Sequence, residues 1–421
     1  MSLLPTSDAA LPTSAPIIPL NPRPDQAIRD TVTEGPAPPL PEDPNADKRV
    51  LHVVNGEHYS GAERVQDLLA LALPEFGYSV GFASLKAGKF GDYRRSVDSP
   101  LHEIEMRGRW DIAAGRRLAK LAREEGYTLL HAHTPRSLLV SAMAARLTGL
   151  PLVYHVHSPA SRDSTRRTVN WVNDRVERLC CGRAAQLITV SPTLTDHMRK
   201  LGVPGDRLRC VLNGVPRLAE GTPGARRRRT PITPFVISMV ALFRPRKGAE
   251  VLIDAIAALR SRELDVRLEA IGPFENTEYE AELHERVERL GLVDSVHWAG
   301  FTDDVPKALA KADALALPSL FGEGLPMVVL EAMAAGLPVV ATRCEGTTEA
   351  ILHRETGFVV EPGSVSQLAD AIEELFCGET DYPTMSLAAK ERHADRFSDK
   401  AMARQVAGVY RDVLKHASAQ K

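Results

Sequence analysis

Phe321–Thr342 reads FGEGLPMVVLEAMAAGLPVVAT, and the way this run folds decides the reading of the whole chain. Pro326 suits the first position of a helix, Gly336 suits the residue just past a helix end, and Pro338 forbids continuation, so the spacing predicts a helix over 326–335. The ALALP run before it and the PVVAT run after it are short, apolar and strand-like. A strand, loop, helix and strand in that order make one βαβ unit of a parallel sheet. Glu323 then sits in the loop at the C-terminal edge of the sheet, and Glu331 lies inside the helix.

The same rhythm extends in both directions. RVLHVVN, YSVGFASL, TLLHAH, LPLVYHVH and QLITVS alternate with helical stretches such as AERVQDLLALAL and SLLVSAMAARLTG. After the Pro/Gly/Arg segment GTPGARRRRTPITP, which has no periodicity, a second series runs through FVISMVAL, AEVLIDAIAALRS, VRLEAIG and YEAELHERVERLG to GFVVEP and QLADAIEELF. The expected architecture is α/β: two doubly wound, Rossmann-like domains facing one another across a cleft at their strand C-termini. The boundaries follow composition. Residues 1–48 are a disordered Pro-rich tail, 49–216 an N-terminal domain on the acceptor side, 217–234 a linker, and 235–397 a C-terminal domain that binds the donor. Residues 398–421 contain a final helix that packs back on the N-terminal domain, with Met402, Val406, Val409, Tyr410, Val413 and Leu414 at helical spacing.

Composition narrows the class. The 421 residues are 44% hydrophobic and 25% charged, which fits a globular chain of more than one core. No apolar run reaches the roughly 20 residues of a membrane span, and the N-terminus lacks the basic-then-apolar order of a secretory signal, so a cytoplasmic protein is expected. Five scattered cysteines without a C-x-x-C spacing indicate neither a disulfide framework nor a cysteine zinc site. The net charge of -2 conceals an asymmetry: 49–217 carries 25 basic and 16 acidic residues, whereas 235–421 carries 20 basic and 30 acidic. A basic half beside an acidic half fits an anionic partner, and it equally fits solvated helix faces.

The candidate site collects at the sheet edges. Gly324 lets the backbone approach a ligand, and the first-turn amides after Leu325 and Pro326 form an anion site suited to a diphosphate. A helical carboxylate such as Glu331 can accept two hydrogen bonds from a ribose diol. Upstream, ALFRPRKG places Arg244, Arg246 and Lys247 in one loop on the same edge. In the other half, Gly61 lies in the first strand-to-helix turn, NGEHYSGAE. His131 and His133 end one strand and His155 and His157 the next, each pair on one face. No third histidine or carboxylate has helical ligand spacing beside them, so no metal is expected there and His157 is read as a hydrogen-bonding group.

Taken together, EGLPMVVLEAMAAGLPVVAT, RPRKG, VYHVHSP, ITVSPTL, VLNGVP and the SGAE turn resemble the family 4 nucleotide-sugar glycosyltransferases of the GT-B fold over residues 49–375 and the final helix. The resemblance implies that Glu331 holds the nucleotide ribose and that Glu323 lies against the donor sugar. It also implies that the backbone of Gly324, Leu325 and Pro326 holds the diphosphate together with Lys247, while His157 lies beside the sugar ring. It implies transfer with retention of configuration, without a metal ion or other cofactor, from a UDP- or GDP-sugar to a saccharide or lipid-linked saccharide, in polysaccharide or glycolipid synthesis. Two departures stand out. Ala241-Leu242 replaces the family's Gly-Arg, leaving Arg244 as the substitute phosphate arginine, and Ser60-Gly61 replaces a glycine pair.

Other classes fit less well. A dinucleotide-dependent oxidoreductase needs G-x-G-x-x-G after a strand, which this chain lacks. The ARRRR run lies in the linker, and the basic half is poor in aromatics for base stacking, so nucleic acid is not an expected partner. A sugar-nucleotide epimerase or a catalytically silent relative on the same fold stays open. Ser161–Arg183, SRDSTRRTVNWVNDRVERLCCGR, combines arginines with apolar residues as an anionic inner membrane face would require, and as an ordinary amphipathic helix also does.

Overall fold

In the computed structural model the described residues are 48–419, apart from 60, 109–110, 159–174, 176, 218–233, 345 and 379. The expected Pro-rich tail, most of the expected linker and most of the arginine-rich segment 161–183 lie outside them. Val-rich and Leu-rich runs form two parallel sheets. The first holds β1 (Lys48–Val54), β2 (Tyr78–Ser84), β3 (Leu101–Glu103), β4 (Leu129–Ala132), β5 (Leu152–Val156), β6 (Gln186–Thr189) and β7 (Leu208–Cys210), in the order β3-β2-β1-β4-β5-β6-β7. The second holds β8 (Phe235–Val240), β9 (Val266–Ile271), β10 (Val296–Gly300), β11 (Ala314–Leu317), β12 (Val339–Thr342) and β13 (Gly357–Val360), in the order β10-β9-β8-β11-β12-β13. In each sheet the chain reverses direction beside its first strand, β1 or β8. Such a switch point opens a crevice at the strand C-termini.

Central strands are buried on both faces because helices cover both. All residues of β4, β5, β11, β12 and β13 are buried. The helix expected over 326–335 begins one residue later, at Met327–Ala335, with Pro326 in the capping position and Gly336 closing it at φ 68°. The left-handed φ is the reason that a glycine stands there.

The chain crosses between the sheets twice, at neighbouring points. Val215 leaves the first half hydrogen-bonded to the segment that returns: its amide donates to Phe397 O (2.9 Å), and Asp399 N donates to Val215 O (3.2 Å). Gly214 has no room for a side chain, since a Cβ there would lie 2.1 Å from Ser398 O. Before the return crossing, the Tyr382–Arg396 helix packs on Met327–Ala335; after it, Asp399–Ala419 packs on Gly61–Ala72. Met402, Val406, Val409, Tyr410 and Val413 form the buried face of that last helix. Among the described residues no helix is long and apolar enough to cross a membrane.

Tyr410 is the polar anchor of the last helix. Its buried hydroxyl lies 3.0 Å from His52 Nε2 and 2.6 Å from His131 Nδ1, so it bridges β1 and the β4 edge. Tyr410→Phe keeps the ring but strands two buried imidazole nitrogens, at a cost of about 1–3 kcal/mol. The expected result is a lower unfolding midpoint in urea with an unchanged far-ultraviolet spectrum; an unshifted midpoint excludes the anchor role.

Candidate functional site

The glutamate loop of the second half presses against the first half by backbone contact. A Cβ on Gly324 would meet His157 O at 1.8 Å, and one on Gly346 would meet Gly324 O at 1.2 Å. Gly324 is therefore required by the neighbouring protein backbone. Asn213 Nδ2 donates to Leu325 O at 2.8 Å, holding the same loop from the β7 side. Thr193 adds a link, its Oγ1 donating to Glu349 Oε1 at 2.6 Å.

Glu323 is buried and lies at the centre of a charged cluster. It accepts from Lys247 Nζ at 2.5 Å, from Ser319 Oγ at 2.6 Å and from Arg246 at 3.4 Å. Burial pushes its carboxyl up, but the charges of Lys247 and Arg246 and the bonds from Lys247 and Ser319 outweigh burial and bring it down to about 2. Lys247 moves the other way: burial lowers its pKa, and Glu323 offsets only part of that. Arg246 also donates to Gly322 O at 3.1 Å and packs its guanidinium under the loop.

Arg244, the expected phosphate arginine, does not reach Glu323. Its side chain pairs with Glu275 at 3.4 Å, and the guanidinium on Glu323 is that of Arg246. The physical reason is local. Pro245–Lys247 forms a single 3-10 turn, which turns Arg246 and Lys247 toward the glutamate loop and leaves Arg244 before the turn.

Glu331 is brought to the same edge and is also paired. Arg64, from the Gly61–Ala72 helix of the first half, donates two bonds to its carboxylate, one of them 3.1 Å long. The pair is shielded from solvent, with Glu331 only 5% exposed. Arg64 was not singled out in the sequence, although it lies one residue beyond the SGAE turn. Gly61 itself begins that helix, with nothing within 4 Å of where a Cβ would stand.

Helix beginnings separate the site from its scaffold. Asp111, Thr134, Ser191, Asn276, Ser364 and Asp381 each cap a helix with a side-chain oxygen. The helices that follow the lysine loop and the glutamate loop, Ala249–Ser261 and Met327–Ala335, have no side-chain cap. Val251 N and Val329 N donate to Gly248 O and Pro326 O; the amides before them have no intrahelical partner and carry the positive end of the helix dipole.

Behind His157 the two expected histidine pairs join His52 in one group. His52, His131, His133, His155 and His157 share the C-terminal edge of β1, β4 and β5, with His52 paired to His131 in register. His133 Nδ1 is 3.0 Å from His157 Nε2, and the rings of His155 and His157 stack with centroids 4.4 Å apart. Burial drives all five below the ordinary histidine value of 6.5, to about 3 for His52 and His157, so the rings are neutral near pH 7. Helical spacing does not describe side chains gathered across adjacent strands. The available signal was the H-x-H pattern at two successive strand ends.

Two family models match the chain: Glycosyltransferase Family 4 over residues 59–217 and Glycosyl transferases group 1 over residues 225–392. A D-inositol 3-phosphate glycosyltransferase of Corynebacterium glutamicum is 29% identical over 309 residues, covering 68% of this chain and 73% of the relative. A phosphatidyl-myo-inositol mannosyltransferase of Mycobacterium leprae is 25% identical over 358 residues, 83% of this chain and 87% of that one. An Escherichia coli UDP-Gal:alpha-D-GlcNAc-diphosphoundecaprenol alpha-1,3-galactosyltransferase is 24% identical over 343 residues, 77% and 87% of the two chains. Among solved structures, Anabaena Alr3699/HepE in complex with UDP and glucose superposes with a TM-score of 0.76 at 24% identity, over 87% of this chain and 100% of that one. The likeness fixes the two-sheet architecture as GT-B.

The Glu323 cluster makes a pH-dependent contribution to stability. An unfolded glutamate takes its proton near 4.5 and folded Glu323 near 2. The contribution is therefore complete above 4.5 and is lost as pH falls toward 2. Glu323→Gln is expected to lower stability by roughly 3 kcal/mol at pH 7. The difference from wild type, measured by denaturant unfolding, should shrink as pH falls from 4.5; a difference independent of pH contradicts the assignment.

Proposed function

This chain belongs to the family 4 glycosyltransferases, and from that premise we propose that it moves a sugar from a UDP- or GDP-sugar to a hydroxyl of a saccharide or lipid-linked saccharide, with retention of configuration. The transfer step uses no metal ion. The observation that carries this reading is the pair of uncapped helix beginnings beside Lys247 and Glu323. Amides and a lysine aimed at one place are what a departing nucleoside diphosphate needs, since its oxygens gain negative charge as the glycosidic bond breaks.

In this reading the diphosphate docks against the backbone of Gly324, Leu325 and Pro326, and Lys247 exchanges a Glu323 oxygen for a phosphate oxygen. Glu323 is then left against the hydroxyls of the donor sugar, still held by Ser319 and Arg246. Glu331 exchanges Arg64 for the ribose diol. His157, on the opposite wall, faces the sugar ring, and Arg244 supplies charge from the outer side of the loop. The leaving phosphate helps to deprotonate the acceptor hydroxyl on the same face, which accounts for retention without a protein nucleophile.

The acceptor belongs to cell-surface polysaccharide or glycolipid synthesis. Support comes from the Mycobacterium leprae and Escherichia coli relatives, whose names specify a phosphatidylinositol and a diphosphoundecaprenol acceptor. A lipid-linked acceptor brings the enzyme to the inner membrane face as a peripheral protein.

Two variants test the placement. Lys247→Ala should slow donor turnover by about 100-fold, near the ~3 kcal/mol that one positioned donor supplies. Glu331→Ala should weaken nucleotide binding ~10–100-fold, as loss of hydrogen bonds to a charged group predicts. Calorimetric titration with UDP and GDP and the release of free sugar from UDP- and GDP-sugars give the two readouts. Wild-type values in both variants overturn the placement. Formation of an isomeric sugar nucleotide indicates an epimerase, and tight binding without turnover indicates a silent relative.

A further inference from the structure

The histidine group is larger than the proposed transfer chemistry requires. One imidazole beside the sugar ring accounts for His157, whereas five are packed together on three neighbouring strands. The β4–β5 ladder sets Ala132 against Tyr154, so the next residues, His133 and His155, come side by side with ring centroids 5.3 Å apart. Both are fully buried or nearly so. Neither ring nitrogen of His155 has a hydrogen-bond partner among the described residues, and His133 Nε2 has none. Buried polar atoms left unpaired forfeit the hydration they had in the unfolded chain, so unpaired atoms gathered at one place call for a ligand.

We propose that His133, His155 and His157 form a binding site for one divalent first-row transition ion, zinc foremost. Each offers a nitrogen, and the three nitrogens lie within 4.8 Å of one another. His133 Nδ1 and His157 Nε2 share a hydrogen bond at 3.0 Å, which an ion would replace; that separation is near the ~3.3 Å between two nitrogens bound at about 2.0–2.1 Å to a tetrahedral centre. Neutral imidazoles are the form that ligates, and borderline-soft nitrogen donors suit zinc, copper, nickel and iron better than magnesium or calcium. Three protein ligands leave a fourth position, and His157 is the more exposed of the three, which gives the ion a route from the cleft.

A second set, His52, His131 and His133, is also close enough to ligate. There the Tyr410 hydroxyl already takes His52 Nε2 and His131 Nδ1; His52 Nδ1 and His131 Nε2 have no partner among the described residues, but all three residues are buried, so only the set with His157 has a member open to the cleft. The ion is therefore assigned to the set nearer the cleft. It would tie the ends of β4 and β5 together behind His157, whose second ring nitrogen stays available for a hydrogen bond. The assignment does not depend on how the donor binds, because it uses only contacts within the first sheet.

The test uses the full chain without a polyhistidine tag, stripped with a chelator, dialysed, and titrated with zinc or cobalt(II) chloride. Expected are uptake of one equivalent, the intense visible absorption of four-coordinate cobalt, and a higher thermal midpoint with stoichiometric zinc. His155→Asn should abolish the cobalt absorption and weaken zinc by more than about 100-fold, beyond the roughly 10–100-fold cost of losing an outer partner. His131→Asn, in the Tyr410 set, should retain both. No stoichiometric uptake, cobalt absorption that survives His155→Asn, or loss only in His131→Asn each overturns the assignment. Zinc-edge X-ray absorption on the wild-type chain needs no variant: three imidazole ligands support the site, and fewer than three overturn it.

Discussion

The cleft depends on how three charges are held out of water with one anion among them. Arg246 and Lys247 both reach Glu323, and all three groups are largely shielded, the carboxylate being 5% exposed. Two cations against one carboxylate leave an excess positive charge in a region of low polarisability, where an isolated charge is costly. The carbonyls of Phe321 and Gly322 relieve part of that excess through Arg246. Among the described residues the Lys247 ammonium has no such backbone partner beyond the shared carboxylate, and burial pulls its pKa down. A lysine held in this way gains more from an incoming dianion than a lysine in water does. The second carboxylate, Glu331, is held by Arg64 from the other half, so the two glutamates differ: one is neutralised from within its own domain and the other across the cleft.

That difference follows from where the backbone comes close. Gly324 touches His157 O and Gly346 touches Gly324 O with no space for a Cβ, so the glutamate loop is fixed by main chain on two sides. Helix-borne Glu331 meets its partner through long side chains, and Asn213, Thr193 and Glu349 add further side-chain bonds across the same seam. Side-chain bonds between halves exchange for ligand bonds more readily than main-chain packing can rearrange. The geometry thus pairs a rigid glutamate loop with exchangeable ion pairs at its margins.

Much of this was legible in the sequence because it rests on punctuation and period. Pro326 and Gly336 set the ends of the Met327–Ala335 helix to within one residue, and alternating short strands and helices gave two parallel sheets with reversed strand order. Local spacing did not show which cation of the Arg244–Lys247 loop reaches Glu323, because a single 3-10 turn decides it. Arg64 was invisible for another reason: its partner lies 267 positions away, and no one-dimensional pattern marks a contact across two domains. The histidines were seen as two pairs. His52 joined them only when β1 was placed beside β4, and Tyr410 only when the last helix was placed on the first sheet.

The last helix also limits how the halves can move. The chain passes between them at Val215 and again at Phe397–Ser398, and the two passages are hydrogen-bonded side by side. Two adjacent crossings with a main-chain bridge between them permit rotation about a common line far more easily than sliding. Rotation about that line would alter the Arg64–Glu331 and Arg95–Asp303 contacts, which join the halves by side chains, while Tyr410 would hold the histidines and the final helix together as one body. The C-terminal segment therefore does two things at once. Its first helix stiffens the Met327–Ala335 helix of the second half, and its second completes the core of the first half, which leaves the short link at Ser398 as the place where the two meet.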